Sequence, residues 1–192
     1  MQTARQQQIV KSSIELIATK GIQGFTIKNL SKAIGISEPA IYRHFESKTE
    51  ILVNILNSFK EIGEMMSMMV VNSNDTAIEK IEFMFSKMIE IFMEQPAFVS
   101  VIFSEEIFKN EEILINKIVE IQNIHQTNVE KIIEIGQKEK NIRTDIDKSS
   151  LALIFMGSFR LLVKQSDLRN KHKNLQTEGQ KLINGLKIIL QA

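Results

Sequence analysis

The chain has 192 residues, 43% of them apolar and 24% charged, which suits one large globular domain or two small ones with a buried core. It contains no cysteine, which excludes disulfides and thiolate metal sites, and no apolar run reaches the ~20 residues of a membrane span. With no apolar signal core in MQTARQQQIVK at the start, the expected compartment is the cytoplasm and no membrane partner is expected. Net charge is +1. Residues 1–50 hold seven bases against four acids, leaving the remainder slightly acidic, a distribution that permits nucleic-acid binding by the head.

Apolar residues recur at three- and four-residue spacings almost throughout, and only two prolines occur, so the expected class is all-α. A first helix over 2–20 turns Ile9, Ser13 and Ile17 one way, with Gly21 as its left-handed stop. Thr26 caps a second helix whose inward face is Ile27, Leu30 and Ile34. Gly35 and Ile36 break it, and Ser37 caps a very short third helix with Pro39 in its first turn. Ser47 and Glu50 have the spacing of a capping box and open a long helix toward residue 71. Gly63 lies inside that helix, where glycine costs ~1 kcal/mol against alanine; this points to a close helix crossing or a pivot.

VNSND (71–75) separates head from body. A helix over 76–94 carries Ile78, Ile81, Phe85, Met88 and Phe92 on one stripe, and Pro96 opens the next. A long helix over 111–138 aligns Ile118, Ile121, His125, Val129 and Ile132. NIRTDID (141–147) is a polar loop, and Asp147 caps a helix over 148–165. Thr177 and Gln180 are expected to box the last helix, whose stripe Leu182, Leu186 and Ile189 is bordered by Ile183 and Leu190.

The short stretch SEPAIYRHF concentrates the chemistry. Two short helices joined by a glycine-containing turn make a helix-turn-helix. Ile41 and Phe45 at i and i+4 face inward, so Glu38, Pro39, Ala40, Tyr42, Arg43 and His44 face out, as on a helix that meets base edges in a major groove. Tyr42, His44 and Lys48 are donors suited to phosphate. Spacing alone fits an ordinary helical hairpin with a surface aromatic equally well.

GFTIKNLSKAIGISEPAIYRHFESKTEIL (24–52), with Gly21 before it, resembles the DNA-binding head of the TetR family of bacterial transcription regulators. The similarity spans about residues 8–55, through Gly21, Thr26, Ile27, Leu30, Ala33, Gly35, Ser37, Tyr42, His44, Phe45, Lys48 and Leu52. It implies a helix-turn-helix head, residues 1–47, and a helical ligand-binding and dimerisation bundle, residues 48–192. It further implies a homodimer paired through the last two helices, a double-stranded DNA operator, and repression relieved by a small molecule. Glu38, Pro39, Ala40 and Tyr42 then occupy base-reading positions and Thr26, Tyr42, His44 and Lys48 phosphate-contacting ones, with Ser37 and Arg43 beside them. Glu38 departs from the pattern: an acid repels phosphate, and it either accepts from cytosine N4 or serves the helix dipole.

In the body, Met66, Met88, Phe92, Phe103, Phe155 and Phe159 supply an adaptable apolar pocket or an ordinary core. His125 is either a ligand-bonding group or a satisfied histidine at the core edge, and Arg160 either meets an acidic ligand or forms an ion pair at a subunit boundary. Glu105-Glu106 and Glu111-Glu112 are neighbours in sequence and do not face each other, so they read as solvated acids. The histidines are too scattered for a metal site, no cofactor fingerprint or catalytic constellation occurs, and no enzymatic activity is expected. Two functions remain: a ligand-released dimeric repressor, or an architectural factor answering to a protein partner. Nucleoid-occlusion members of the family also resemble this chain around SEPAIYRHFESKT and QPAFVSVIFSEEIF.

Overall fold

The computed structural model describes residues 2–102, 111–169 and 174–191. Among these the elements are helices: α1 (Ala4–Gly24), α2 (Ile27–Ile34), α3 (Glu38–Tyr42), α4 (Lys48–Val71), α5 (Ala77–Glu94), α6 (Pro96–Ile102), α7 (Glu112–Lys138), α8 (Lys148–Leu168) and α9 (Leu175–Leu190). The all-α expectation holds.

Local chemistry sets most of the boundaries. Thr3 and Gln6 form a reciprocal capping box, so α1 starts two residues later than the periodicity suggested. Gly21 does interrupt α1, but at φ 67° and ψ 177°, a conformation glycine alone adopts readily, and one more helical turn follows to Gly24. The Asp147 carboxylate accepts from the Ser150 hydroxyl and N–H at 2.6 and 2.9 Å, which caps α8 and holds its pKa below the ordinary value. The expected boxes at α9 and α4 are different. α9 begins at Leu175 behind Asn174, so Thr177 is inside the helix and caps nothing. At α4 the Ser47 hydroxyl accepts from the Glu50 N–H at 3.1 Å, while the Glu50 carboxylate accepts from the Glu46 N–H, one residue upstream of the box position.

The chain divides into two compact units, residues 1–61 with 97–119, and residues 62–96 with 120–192. In the first, Ile9, Ser13 and Ile17 of α1 are buried as expected, together with Phe25, Leu30, Ile41, Phe45, Ile51 and Leu114. The Ser13 hydroxyl donates to the Ile9 carbonyl at 2.7 Å, so its burial leaves no orphaned polar atom. Thr49 on α4 donates to the Glu111 carboxylate at 2.6 Å within the same unit.

In the second unit, α9 packs on α5 and on α8. Its inward stripe is Leu175, Gly179, Ile183, Leu186 and Leu190. That corrects the expected stripe: Leu186 is 3% exposed inside its own chain, and Leu182 is half-buried. The outward face of α9 is instead Gly185, Ile188 and Ile189. The loop 141–147 docks on the end of α9, where the Arg143 N–H donates to the Leu190 carbonyl at 2.9 Å and its guanidinium forks onto Asp145.

Candidate nucleic-acid interface and ligand site

The Thr26 hydroxyl accepts from the Asn29 N–H at 3.1 Å and starts α2. Gly35 ends it in the left-handed conformation, φ 76° and ψ 33°, and the N–H groups of Gly35 and Ile36 both donate to the Ser31 carbonyl. This turn delivers the chain to Ser37, whose carbonyl accepts from the Ala40 and Ile41 N–H groups. The Ser37 hydroxyl makes no capping bond, contrary to expectation, because the backbone alone closes this five-residue helix.

Ile41 (0% exposed) and Phe45 (2%) plug the short helix into the first unit, while Tyr42 stands 51% exposed. Glu38, Pro39 and Arg43 are exposed, and Ala40 and His44 half-buried. Gln6 of α1 donates from Nε2 to the His44 carbonyl at 3.2 Å, fixing the chain just after α3. The role of Gln6 was missed, although its T-x-x-Q spacing from Thr3 is legible in the sequence. Glu38 is the first residue of α3, where a carboxylate favours the helix dipole. Lys48 opens α4, is exposed, and holds Nζ 5.2 Å from the centroid of the Phe25 ring.

Lys48→Ala is expected to weaken binding to all duplexes alike and to flatten the log–log salt dependence by about one unit, the mark of a lost phosphate contact. Tyr42→Ala should lower affinity with the helical circular-dichroism signal unchanged, because Ile41 and Phe45 hold the core. Glu38→Ala should leave sequence preference intact; a shifted base preference in a binding-site selection makes Glu38 a reader instead.

In the second unit, Phe155, Phe85, Phe159 and Phe92 form a chain of ring contacts. Ring centroids lie 5.9 Å apart for Phe85–Phe155, 5.0 Å for Phe85–Phe159 and 6.0 Å for Phe92–Phe159, the first two edge-to-face. Met66 is buried, Met88 half-buried, and Phe103 lies outside the described residues. His125 is half-buried on α7, and desolvation, partly opposed by Glu64, lowers its pKa. Its ring lies against Gly63 of α4: a Cβ there would overlap Nε2 and reach within 3.0 Å of Cδ2. Arg160 is half-buried on α8. No cluster of metal-ligating side chains occurs among the described residues, and none of their helices is long and apolar enough to cross a membrane.

A rigid turn that presents an exposed polar helix face beside a basic residue defines a helix-turn-helix DNA-binding regulator. Residues 9–55 match the family described as bacterial regulatory proteins, tetR family. The matched stretch runs from α1 into α4 and contains the whole helix-turn-helix. Over 48 residues the chain is 48% identical to the nucleoid occlusion factor SlmA of Glaesserella parasuis serovar 5, a stretch covering 24% of each chain. It is 32% identical over 114 residues to the uncharacterized HTH-type transcriptional regulator YerO of Bacillus subtilis, covering 57% of this chain and 39% of that one. These matches therefore span well under half the length of those relatives. The fold is shared over nearly the whole chain with the transcriptional regulator FadR from Bacillus subtilis in complex with stearoyl-CoA. There the TM-score is 0.83 at 20% identity, covering 96% of this chain and 99% of that one.

Proposed function

We propose that the protein is a dimeric repressor whose two heads bind a near-palindromic duplex and whose body releases it on binding an apolar small molecule. The observation that carries the reading is the outward side of α3, with Tyr42, Arg43 and Glu38 exposed over fully anchored Ile41 and Phe45. In this reading residues 1–47 are the DNA-reading head and 48–192 the regulatory and dimerisation body. Positions 38–40 and Tyr42 set sequence preference, and Thr26, Tyr42, His44 and Lys48 meet phosphate with Ser37 and Arg43 alongside. The half-sites lie about one helical turn, ~34–36 Å, apart or slightly more. Working on DNA, the protein acts in the cytoplasm.

The aromatic cluster of Phe85, Phe92, Phe155 and Phe159 supports an apolar effector. A FadR of the same fold binds stearoyl-CoA, which makes a long acyl chain the first class to test here. Titration of a selected duplex complex with stearoyl-CoA should lower duplex affinity at least tenfold. No change with acyl-CoA thioesters of any chain length removes the acyl effector and leaves duplex binding standing. The architectural alternative has less support, because the similarity to nucleoid occlusion factors is 48% identical over only 48 residues and falls to 20–23% where it extends over 80% of the chain. Failure of the folded protein to bind any duplex at low salt overturns both.

A further inference from the structure

We propose that Phe25 is a positioning residue for the DNA contact, its ring holding the Lys48 ammonium where a backbone phosphate arrives. The inference rests on the reading above that Lys48 meets phosphate. Phe25 is 0% exposed at the junction of α1 and α2, where its own N–H donates to the Ile22 carbonyl at 3.1 Å. The ring is therefore a fixed platform. Lys48 is exposed at the first position of α4, and its Nζ lies 5.2 Å from the ring centroid, within the range of a cation–π attraction.

The chemistry of this pairing suits an anion contact better than an ion pair does. A carboxylate partner neutralises lysine and must be displaced or repelled as phosphate approaches. An aromatic face attracts the ammonium through its quadrupole without cancelling its charge, and it covers only one side of the group. Lys48 is exposed, so the ammonium donors that the ring does not cover are left for an anion. A free lysine also loses much rotamer entropy on fixing its head, and an ammonium already held at a ring has lost part of it beforehand. Thr26, the other residue assigned to phosphate, follows Phe25 directly and is held by the α2 cap, so one short stretch organises both groups.

The test keeps the shape of the ring and changes its electrostatics. In protein carrying 3,4,5-trifluorophenylalanine at position 25, duplex affinity should fall about two- to fivefold with thermal stability unchanged. In the Lys48→Ala background the same replacement should have no effect. Independently of DNA, the Lys48 ε-methylene protons should show an upfield ring-current shift that vanishes in Phe25→Leu. An absent shift, or an equal loss of affinity with and without Lys48, overturns the proposal. A shift that is present while Lys48→Ala leaves affinity and salt slope untouched overturns the phosphate role of Lys48, and with it the function of the contact but not the contact itself.

Discussion

Ile188→Glu and Leu161→Glu are each expected to convert the protein from a dimer to a folded monomer at micromolar concentration. On α8, Leu153 (67% exposed), Leu161 (57%) and Leu168 (73%) lie on one stripe with Gly157, and Ile154 borders it. On α9, Ile188 stands 75% exposed beside Ile189 and Gly185. A Cβ built on either glycine meets nothing within 4 Å, so this face is open to the close approach of another helix. Two adjacent helices carrying so much exposed aliphatic surface match the apolar core of an obligate two-fold interface.

In a two-fold interface each substitution acts twice. Losing ~1.5–3 kcal/mol of burial per side chain, before any cost of placing a carboxylate in an apolar contact, should raise the dimer dissociation constant at least about 100-fold. Operator affinity should fall with it, because one head loses the effective concentration supplied by the other. Leu186→Glu is a control with a different outcome: its side chain is buried within one chain, so it should unfold the protein rather than separate subunits. Sedimentation that finds the unmodified protein monomeric, or either variant still dimeric, sinks this assignment.

The contrast between Leu186 and Ile188 shows where sequence reading stops. Periodicity identified α9 as amphipathic, but its apolar residues cover more than one stripe, and only packing against α5 and α8 decides which stripe is internal. Caps follow the same logic. Thr26 and Asp147 could be read because each bonds to an N–H three residues ahead, within a local and geometrically complete motif. Ser37 and Thr177 have equally plausible spacing, yet backbone bonds close one helix and the actual start of the other lies upstream.

The outward face of α3 was legible because Ile41 in the helix and Phe45 just beyond its end fix which side is buried. The Phe25–Lys48 contact was not, since it joins residues 23 apart through the fold of the first unit and no spacing rule anticipates it. The aromatic cluster was partly legible: Phe92, Phe155 and Phe159 were singled out, while Phe85, which links Phe155 to Phe159, was read only as a stripe residue.

Gly63→Ala is expected to destabilise the protein by about 1–3 kcal/mol, despite the ~1 kcal/mol that alanine adds in helix propensity. The new methyl would overlap the His125 ring, which lies in the apolar stripe of α7 with limited room to withdraw. His125→Ala in the same chain should remove the conflict and uncover the propensity gain, so the two substitutions should be strongly non-additive in denaturant unfolding.

The ring also gives this crossing a pH dependence. Burial lowers the His125 pKa, so as pH falls through about 6.5 the unfolded chain takes up the proton first. The contribution of neutral His125 is therefore complete above that pH. It is lost as pH drops toward the folded-state pKa, and His125→Ala should lack this part of the acid sensitivity. Equal stabilisation by Gly63→Ala with and without His125 rules out a tight crossing. If stability is unchanged and only the response of duplex binding to effector shifts, Gly63 is a pivot of α4.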